Sequence, residues 1–499
     1  AATKKNNRRC ELLLRETEAV GVLAGLLSSH YSYPSVALEE AWKRVLLNQF
    51  HDVIPGTSIH CVYDDAEELY ALSKAAAESA LADAHSALSD GSPAAWHISN
   101  TFSFPRTEVI ESAAPAGGFK LAHVGACSLT DLSVACESGC SDSVSVQVTD
   151  GMYVLKNSAL LVTIAPDGLV TSVLHKESGK ETLSQPGNCL VMFDDHPLYW
   201  DAWDVDAYHL EKATPCPPAY SHEITVEESI RVEVQFKYQL SEKSTLLQSI
   251  RLDAHSDILS FHSSVDWHES HKFLKVQFPL NVRTTSVTYE VPFGVVERPN
   301  HVNTSWEMAK FEVCGHRFAD MSEFGFGCAL LNDCKYGYSA RANNLSLSLL
   351  RSPKAPDESA DMGRHEFAYA LMPHSAAWQT AGVLERAVQL NTPLTAVPGG
   401  LQNTLEYLSI NQPSVFVSAV KPPQEHSSQT AVVVRLYEAF GGSCTACCAL
   451  DIPGWAVKEV LACNLLEDTS AILAVSGNSW SAAFKPFQLQ TFKVVLVCS

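Results

Sequence analysis

At 499 residues, 46% hydrophobic and 18% charged, the chain is too long for one ordinary core and too apolar for wholesale disorder, which implies roughly two to four folded domains. A formal net charge of -21 and a pI near 5.3 argue against nucleic acid or an anionic membrane as the main partner, since both reward clustered Lys and Arg. No apolar run approaches the length that crosses a bilayer, and the opening Ala1–Arg9 gives way to a charged helix instead of an apolar leader, so no membrane is expected. Position 1 is not Met, and the chain reads as if cut from something longer. The 15 Cys are odd in number and scattered without a repeated spacing, the usage of reduced thiols in a cytoplasmic protein.

From about residue 7 to residue 88 the pattern is helical. Cys10, Leu13, Leu14, Thr17, Val20, Leu23, Leu26 and Leu27 recur at three- and four-residue intervals, with Glu11, Arg15, Glu16 and Glu18 expected on a solvated side. A second helix starts near Leu38, and an Ala- and Glu-rich third runs from about Ser58 to Leu88. Short loops between them make an antiparallel three-helix bundle over 1–90 the economical arrangement.

Beyond Asp90-Gly91-Ser92-Pro93 the period drops to two. Ser143–Val148 alternates, Asp150-Gly151 is a hairpin signal, and further strand-like runs lie at 160–164, 169–174, 230–240, 272–278, 345–350, 432–437 and 487–496. Short strands with turn residues between them predict antiparallel sandwiches. The expected order is therefore α then β: the bundle, a large β-sandwich over 91–390 with a small β subdomain near 91–140, and a smaller terminal β domain over 391–499. The Thr-, Pro-, Gly- and Asn-containing stretch from Asn391 to Pro413 marks the last boundary.

Four polar residues crowd the junction of the second and third helices, in Asn48-Gln49-Phe50-His51-Asp52-Val53-Ile54-Pro55-Gly56-Thr57-Ser58. A carboxylate there is opposed by the helix dipole unless a cation, a metal or a ligand hydroxyl compensates. His51 offers an imidazole nitrogen, the commonest metal ligand, although a histidine at a helix end also serves simply to complement the dipole. Pro55-Gly56 forces the chain off the helix, and Thr57 or Ser58 can cap the next one. Further on, residues 194–209 mix Trp200, Trp203 and Tyr208 with Asp201, Asp204 and Asp206. Aromatic faces beside carboxylates suit a sugar, while the competing reading has the tryptophans plug an interdomain seam and the aspartates cap turns. His268 and His271 sit on a strand, where helical His-x-x-x-His geometry fails, and His255-Ser256-Asp257 lies in strand-like surroundings.

The 48–58 string resembles the signature in the central helical domain of glycoside hydrolase family 38, the retaining α-mannosidases. Residues 194–209, 298–306, 330–337 and 361–367 are similar to the cytosolic-type members, so the resemblance runs along essentially the whole chain. It implies that His51 is a zinc ligand and that Asp52 hydrogen-bonds mannose hydroxyls. Asp201, Asp204, Tyr208 and Arg364 are further substrate-binding candidates, and Arg364 is equally suited to an ion pair inside the β domain.

A retaining glycosidase also needs a carboxylate nucleophile and a carboxylic general acid. In the family both belong to an N-terminal α/β domain that also carries a His-x-Asp metal pair; His255-Ser256-Asp257 mimics that pair but lacks the family's aromatic sequel, and no other such motif is found here. The expectation is a portion of an α-mannosidase acting on terminal mannose of oligosaccharides in the cytoplasm, with zinc or cobalt in the complete enzyme and no catalytic residue in this chain. Its partners would be a mannose-containing oligosaccharide and the absent catalytic domain, with a homo-oligomer left open, and the chain alone would be inactive. The competing class is a non-catalytic carbohydrate-binding or scaffold protein.

Overall fold

The computed structural model describes every residue except 93, 112–117, 137–141, 402 and 426–428. Pro93, of the turn signal that ends the helical region, therefore lies outside the described residues. Three helices come first, α1 (Ala2–Leu27), α2 (Ser35–Asn48) and α3 (His60–Leu88). Their shared core is Cys10, Leu14, Leu38, Val45, Ala66, Tyr70, Ala77 and Ala80. The small alanines of α3 let the helices approach closely, which is what an Ala-rich repeat at helical spacing provides.

The supposed solvated side of α1 is instead a second interface. Arg15 lies over the Phe102 ring and donates to the carbonyls of Thr101, Val417 and Ser418. Glu16 accepts from Ser99 and Glu18 from the Trp42 indole. Burial pushes both carboxyls up, Glu18 to about 7. Amphipathic spacing could not reveal this, because the polar face meets polar groups of the β region and of α2 rather than water.

The β region is built of antiparallel sheets throughout. A nine-stranded sheet carries Gly363–His374 at its centre, between Leu259–Trp267 and Phe326–Asn332. A six-stranded sheet built on Cys189–Asp194, Lys272–Pro279 and Asn344–Arg351 faces it, and a five-stranded sheet over 145–181 adjoins both. One continuous core joins the three, centred on Phe261, Phe278 and Tyr369, with the Phe261 and Tyr369 rings stacked at 4.9 Å. A smaller sheet pairs Trp96–Asn100 and Ser128–Asp131 with Ala396–Pro398 and Leu405–Glu406. Four- and five-stranded sheets sharing Trp480, Phe492 and Val434 in their core complete the chain.

At the join of bundle and β region two buried histidines form a short relay. His97 Nδ1 lies 2.6 Å from the Gly399 carbonyl and must donate to it, so its Nε2 accepts from His85 Nδ1 at 2.9 Å. This direction holds for neutral rings, which burial favours by lowering both histidines, His85 to about 3.

Candidate functional site

The α2–α3 connection is a run of turns held from several sides. α2 stops at Asn48, whose side-chain amide donates to the Ala66 carbonyl, and Gln49 donates to Asn7 and Glu11 of α1. Pro55 then leads into Gly56, whose φ of +98° is open to glycine and strained for other residues. Lys4 donates to the carbonyls of Ile54 and Pro55, at 2.8 and 3.1 Å.

Asp52 is the hub of this turn. Its carbonyl accepts from the Thr57 amide at 3.2 Å and the Ser58 hydroxyl at 2.8 Å, and its Oδ1 accepts from the Thr57 hydroxyl at 2.9 Å. Thr57 and Ser58 therefore do not cap α3. That helix begins behind Ile59 without a side-chain cap, and the two hydroxyls are spent on fixing Asp52. His51 faces its neighbour, with Nε2 3.1 Å from Asp52 Oδ2 and the ring 4.4 Å from that of Phe50. The imidazole is 70% exposed and the carboxylate 36%. Around them Leu46, Leu47, Phe50 and Ile59 also stand exposed, an unusual density of bare apolar side chains beside a polar pair.

The 194–211 segment reaches this turn through one intermediary, the 352–362 loop. His60, at the start of α3, lies 3.0 Å from the Ser359 hydroxyl and 3.4 Å from Asp357. The same loop is clasped by Asp201, whose Oδ2 accepts from the Lys354 and Ala355 amides. Arg351 locks the segment from below, donating to Asp195 at 2.6 Å and to the carbonyls of Asp201 and Asp204. So anchored, the segment presents Leu198, Tyr199, Trp200, Trp203 and Tyr208 to the outside, with Trp200 76% exposed and held at φ +59°. The tryptophans therefore plug no seam within the described residues.

The other candidates are placed as follows. Asp204 is exposed and its Oδ1 accepts from the next amide in the chain. Arg364 is 72% exposed and pairs with Glu366 at 2.9 Å, so no buried ion pair forms there. His271 stacks on His196, and His255 and Asp257 turn apart, to Asp142 and to Arg386. Lys4, His60, Asp357 and Ser359 hold the site together although sequence reasoning singled out none of them. Their signal is tertiary, because each acts on a residue far away in the chain.

A structural zinc site takes four ligands. Among the described residues no three or more His, Cys, Asp or Glu side chains converge in that way. The donors present suit one position of such a set: His51 Nδ1 has no hydrogen-bond partner among the described residues, and a carboxylate stands beside the ring.

Comparison with known proteins finds three family models that match separate parts of the chain. The "Alpha mannosidase middle domain" matches residues 1–88, the "Glycosyl hydrolases family 38 C-terminal domain" residues 155–359, and the "Glycosyl hydrolases family 38 C-terminal beta sandwich domain" residues 414–492. The chain is 41% identical over 512 residues to human Alpha-mannosidase 2C1, covering 99% of itself and 49% of that protein. It is 30% identical to Alpha-mannosidase G of Dictyostelium discoideum, covering 99% of itself and 51% of that protein. It thus spans about half the length of the curated relatives it matches. The crystal structure of an alpha-mannosidase from Enterococcus faecalis V583 superposes with a TM-score of 0.80 at 16% identity, over 99% of this chain and 67% of that one, a likeness of fold. The chain belongs to glycoside hydrolase family 38, of which it carries the middle, C-terminal and C-terminal β-sandwich domains.

Proposed function

We propose that this chain supplies one wall of the active site of a retaining α-mannosidase acting on mannose-containing oligosaccharides in the cytoplasm. The opposite wall is an α/β domain that brings the carboxylate nucleophile and the general acid. The observation that carries this reading is the pairing of His51 and Asp52, solvent-facing and rigidly braced, inside a rim of exposed apolar residues. A surface of that kind is expected where another domain closes over it.

In this reading His51 is one zinc ligand, its Nε2 side steadied by Asp52 and its Nδ1 left for the cation. Zinc or cobalt, when bound, supplies Lewis-acid polarisation of the sugar hydroxyls. Asp52, with Oδ1 held by Thr57, keeps lone pairs on both oxygens to accept mannose hydroxyls in a fixed orientation. Tyr208 and Arg364 carry solvent-facing heads for a glycan that extends past Asp52, while Asp201 and Asp204 shape the segment that presents Tyr208.

A direct check is hydrolysis of an aryl α-mannoside by the 499-residue chain with zinc or cobalt added. No turnover above the buffer rate is expected. Robust turnover by this chain alone would refute the division of labour.

A further inference from the structure

An open cleft of about 490 Å³ lies at the far end of the nine-stranded sheet, on its outer face, beneath residues 376–378. Its floor is set by strand register: Thr288 is flanked by Glu297 on one side and Asp320 on the other, with Ser286 and Ser322 two residues along on the same face. Thr288 is 9% exposed, lines the cleft, and its hydroxyl has no hydrogen-bond partner among the described residues. Phe324 stands at the rim, at the first position of the two-residue turn joining Phe318–Glu323 to Phe326–Asn332, and is fully exposed. Gly325, at φ +72°, meets the demand of that turn, and nothing in the turn calls for an aromatic beside it.

The chemistry of the lining selects the ligand. Asp320 is committed, one oxygen to the Ser322 hydroxyl at 2.6 Å and the other to His374 at 2.7 Å. Glu323 is committed to Lys180 and to the Arg283 amide. Among the described residues only Glu297 remains a free carboxylate in the lining, too few for a calcium ion, which takes about six to eight oxygens. Among the described residues no uncommitted cation lines the cleft, so an anion finds no counter-charge there. What is left is acceptor-rich, with hydroxyls that both donate and accept and an apolar ring at the edge. A neutral ring that presents several O–H donors and one C–H face satisfies all of these.

We infer that this cleft is a second carbohydrate-binding site, taking a pyranose with its hydroxyls on Thr288 and Glu297 and its apolar face on Phe324. It is separate from the His51–Asp52 turn. Strand Gly363–His374 begins beside α1, where Lys5 donates to the Glu366 carbonyl, and ends at His374 in the wall behind the cleft. Its 12 residues extend over about 40 Å. The inference is drawn from the cleft alone and does not depend on the activity proposed above.

Saturation-transfer NMR on the 499-residue chain, with the methyl pyranosides of mannose, glucose and galactose at millimolar concentration, tests it. At least one should receive saturation, and Phe324→Ala should weaken its binding by about tenfold without moving the thermal midpoint, since loss of one stacked ring is worth up to roughly that factor. Thr288→Val should weaken it similarly, and the double variant His51→Ala/Asp52→Asn should leave it unchanged. No transfer to any of the three sugars would overturn the inference. Transfer that survives both Phe324→Ala and Thr288→Val, or that disappears with His51→Ala/Asp52→Asn, would overturn it equally.

Discussion

Asp52 owes its orientation to two residues that a sequence reading assigns to the next helix. The Thr57 hydroxyl to Oδ1 bond and the Ser58 hydroxyl to carbonyl bond hold it while both carboxylate oxygens stay accessible. Thr57→Val removes the first of these while keeping the side-chain shape. The expected cost is about 1 kcal/mol of stability, read as a shift in the urea midpoint. In a protein that includes the catalytic domain, kcat should fall with little change in global folding. A comparable single-residue case lies far from the site, at Glu438. This fully buried carboxylate accepts from the backbone amides of Phe440, Gly441, Gly442 and Phe487 at 2.8 to 3.1 Å. Glu438→Ala leaves those donors without partners and should lower stability by about 2–3 kcal/mol, seen as a lower melting temperature of the terminal β domains.

The helices show which parts of an element a sequence exposes. Their existence and order are legible because Cys10, Leu14 and the buried alanines of α3 repeat at helical spacing. What surrounds the other face of α1 is not, since Arg15 and Glu16 find their partners in the β region and Glu18 finds its partner in the Trp42 indole of α2. The same holds for the central strand Gly363–His374, buried along most of its length, whose His-Glu-Phe-Ala-Tyr-Ala-Leu-Met lacks the alternation that marks a half-buried strand. The helix Val383–Asn391, packed on the outer face of the nine-stranded sheet, is likewise invisible to a reading that expects strands only.

Where α3 meets the β region, the two neutral histidines predict a pH dependence. His85 ionises near 6.5 when unfolded but only at about 3 in the fold, because burial disfavours its charged form, and His97 is shifted down for the same reason. Below pH 6.5 the unfolded chain therefore binds more protons than the folded one. Stability is full above about 6.5 and falls as the pH drops below it, for His85 down to about 3, by up to about 1.4 kcal/mol per pH unit, and His97 adds to the loss in the same direction. Denaturant titrations at pH 7.5 and 5 should show the loss. The variant His85→Gln/His97→Gln should flatten that slope, and an unchanged slope would place the acid sensitivity elsewhere.

Over the whole molecule, the apolar surface is distributed unevenly. Leu46, Leu47, Phe50 and Ile59 flank the α2–α3 turn, and Leu198, Tyr199, Trp200, Trp203 and Tyr208 crown the segment tied to it through the 352–362 loop. The motif string singled out His51 and Asp52, but composition could not show that aromatic residues along 194–209 stay uncovered, because that depends on which surfaces the sheets leave open. The 499-residue chain should self-associate at micromolar concentration in light scattering. Phe50→Ser with Trp200→Ser should reduce that association without lowering the melting temperature, as both side chains are exposed.

The zinc content of a polypeptide that joins this chain to its catalytic domain probes the central assignment most directly, measured by mass spectrometry after gel filtration. About one zinc per chain is expected for the wild type. His51→Ala should lose most of it while Asp52→Asn retains the metal and loses activity. Full zinc occupancy in His51→Ala would contradict the placement of this imidazole in the metal shell, and with it the reading of the turn as half of the active site.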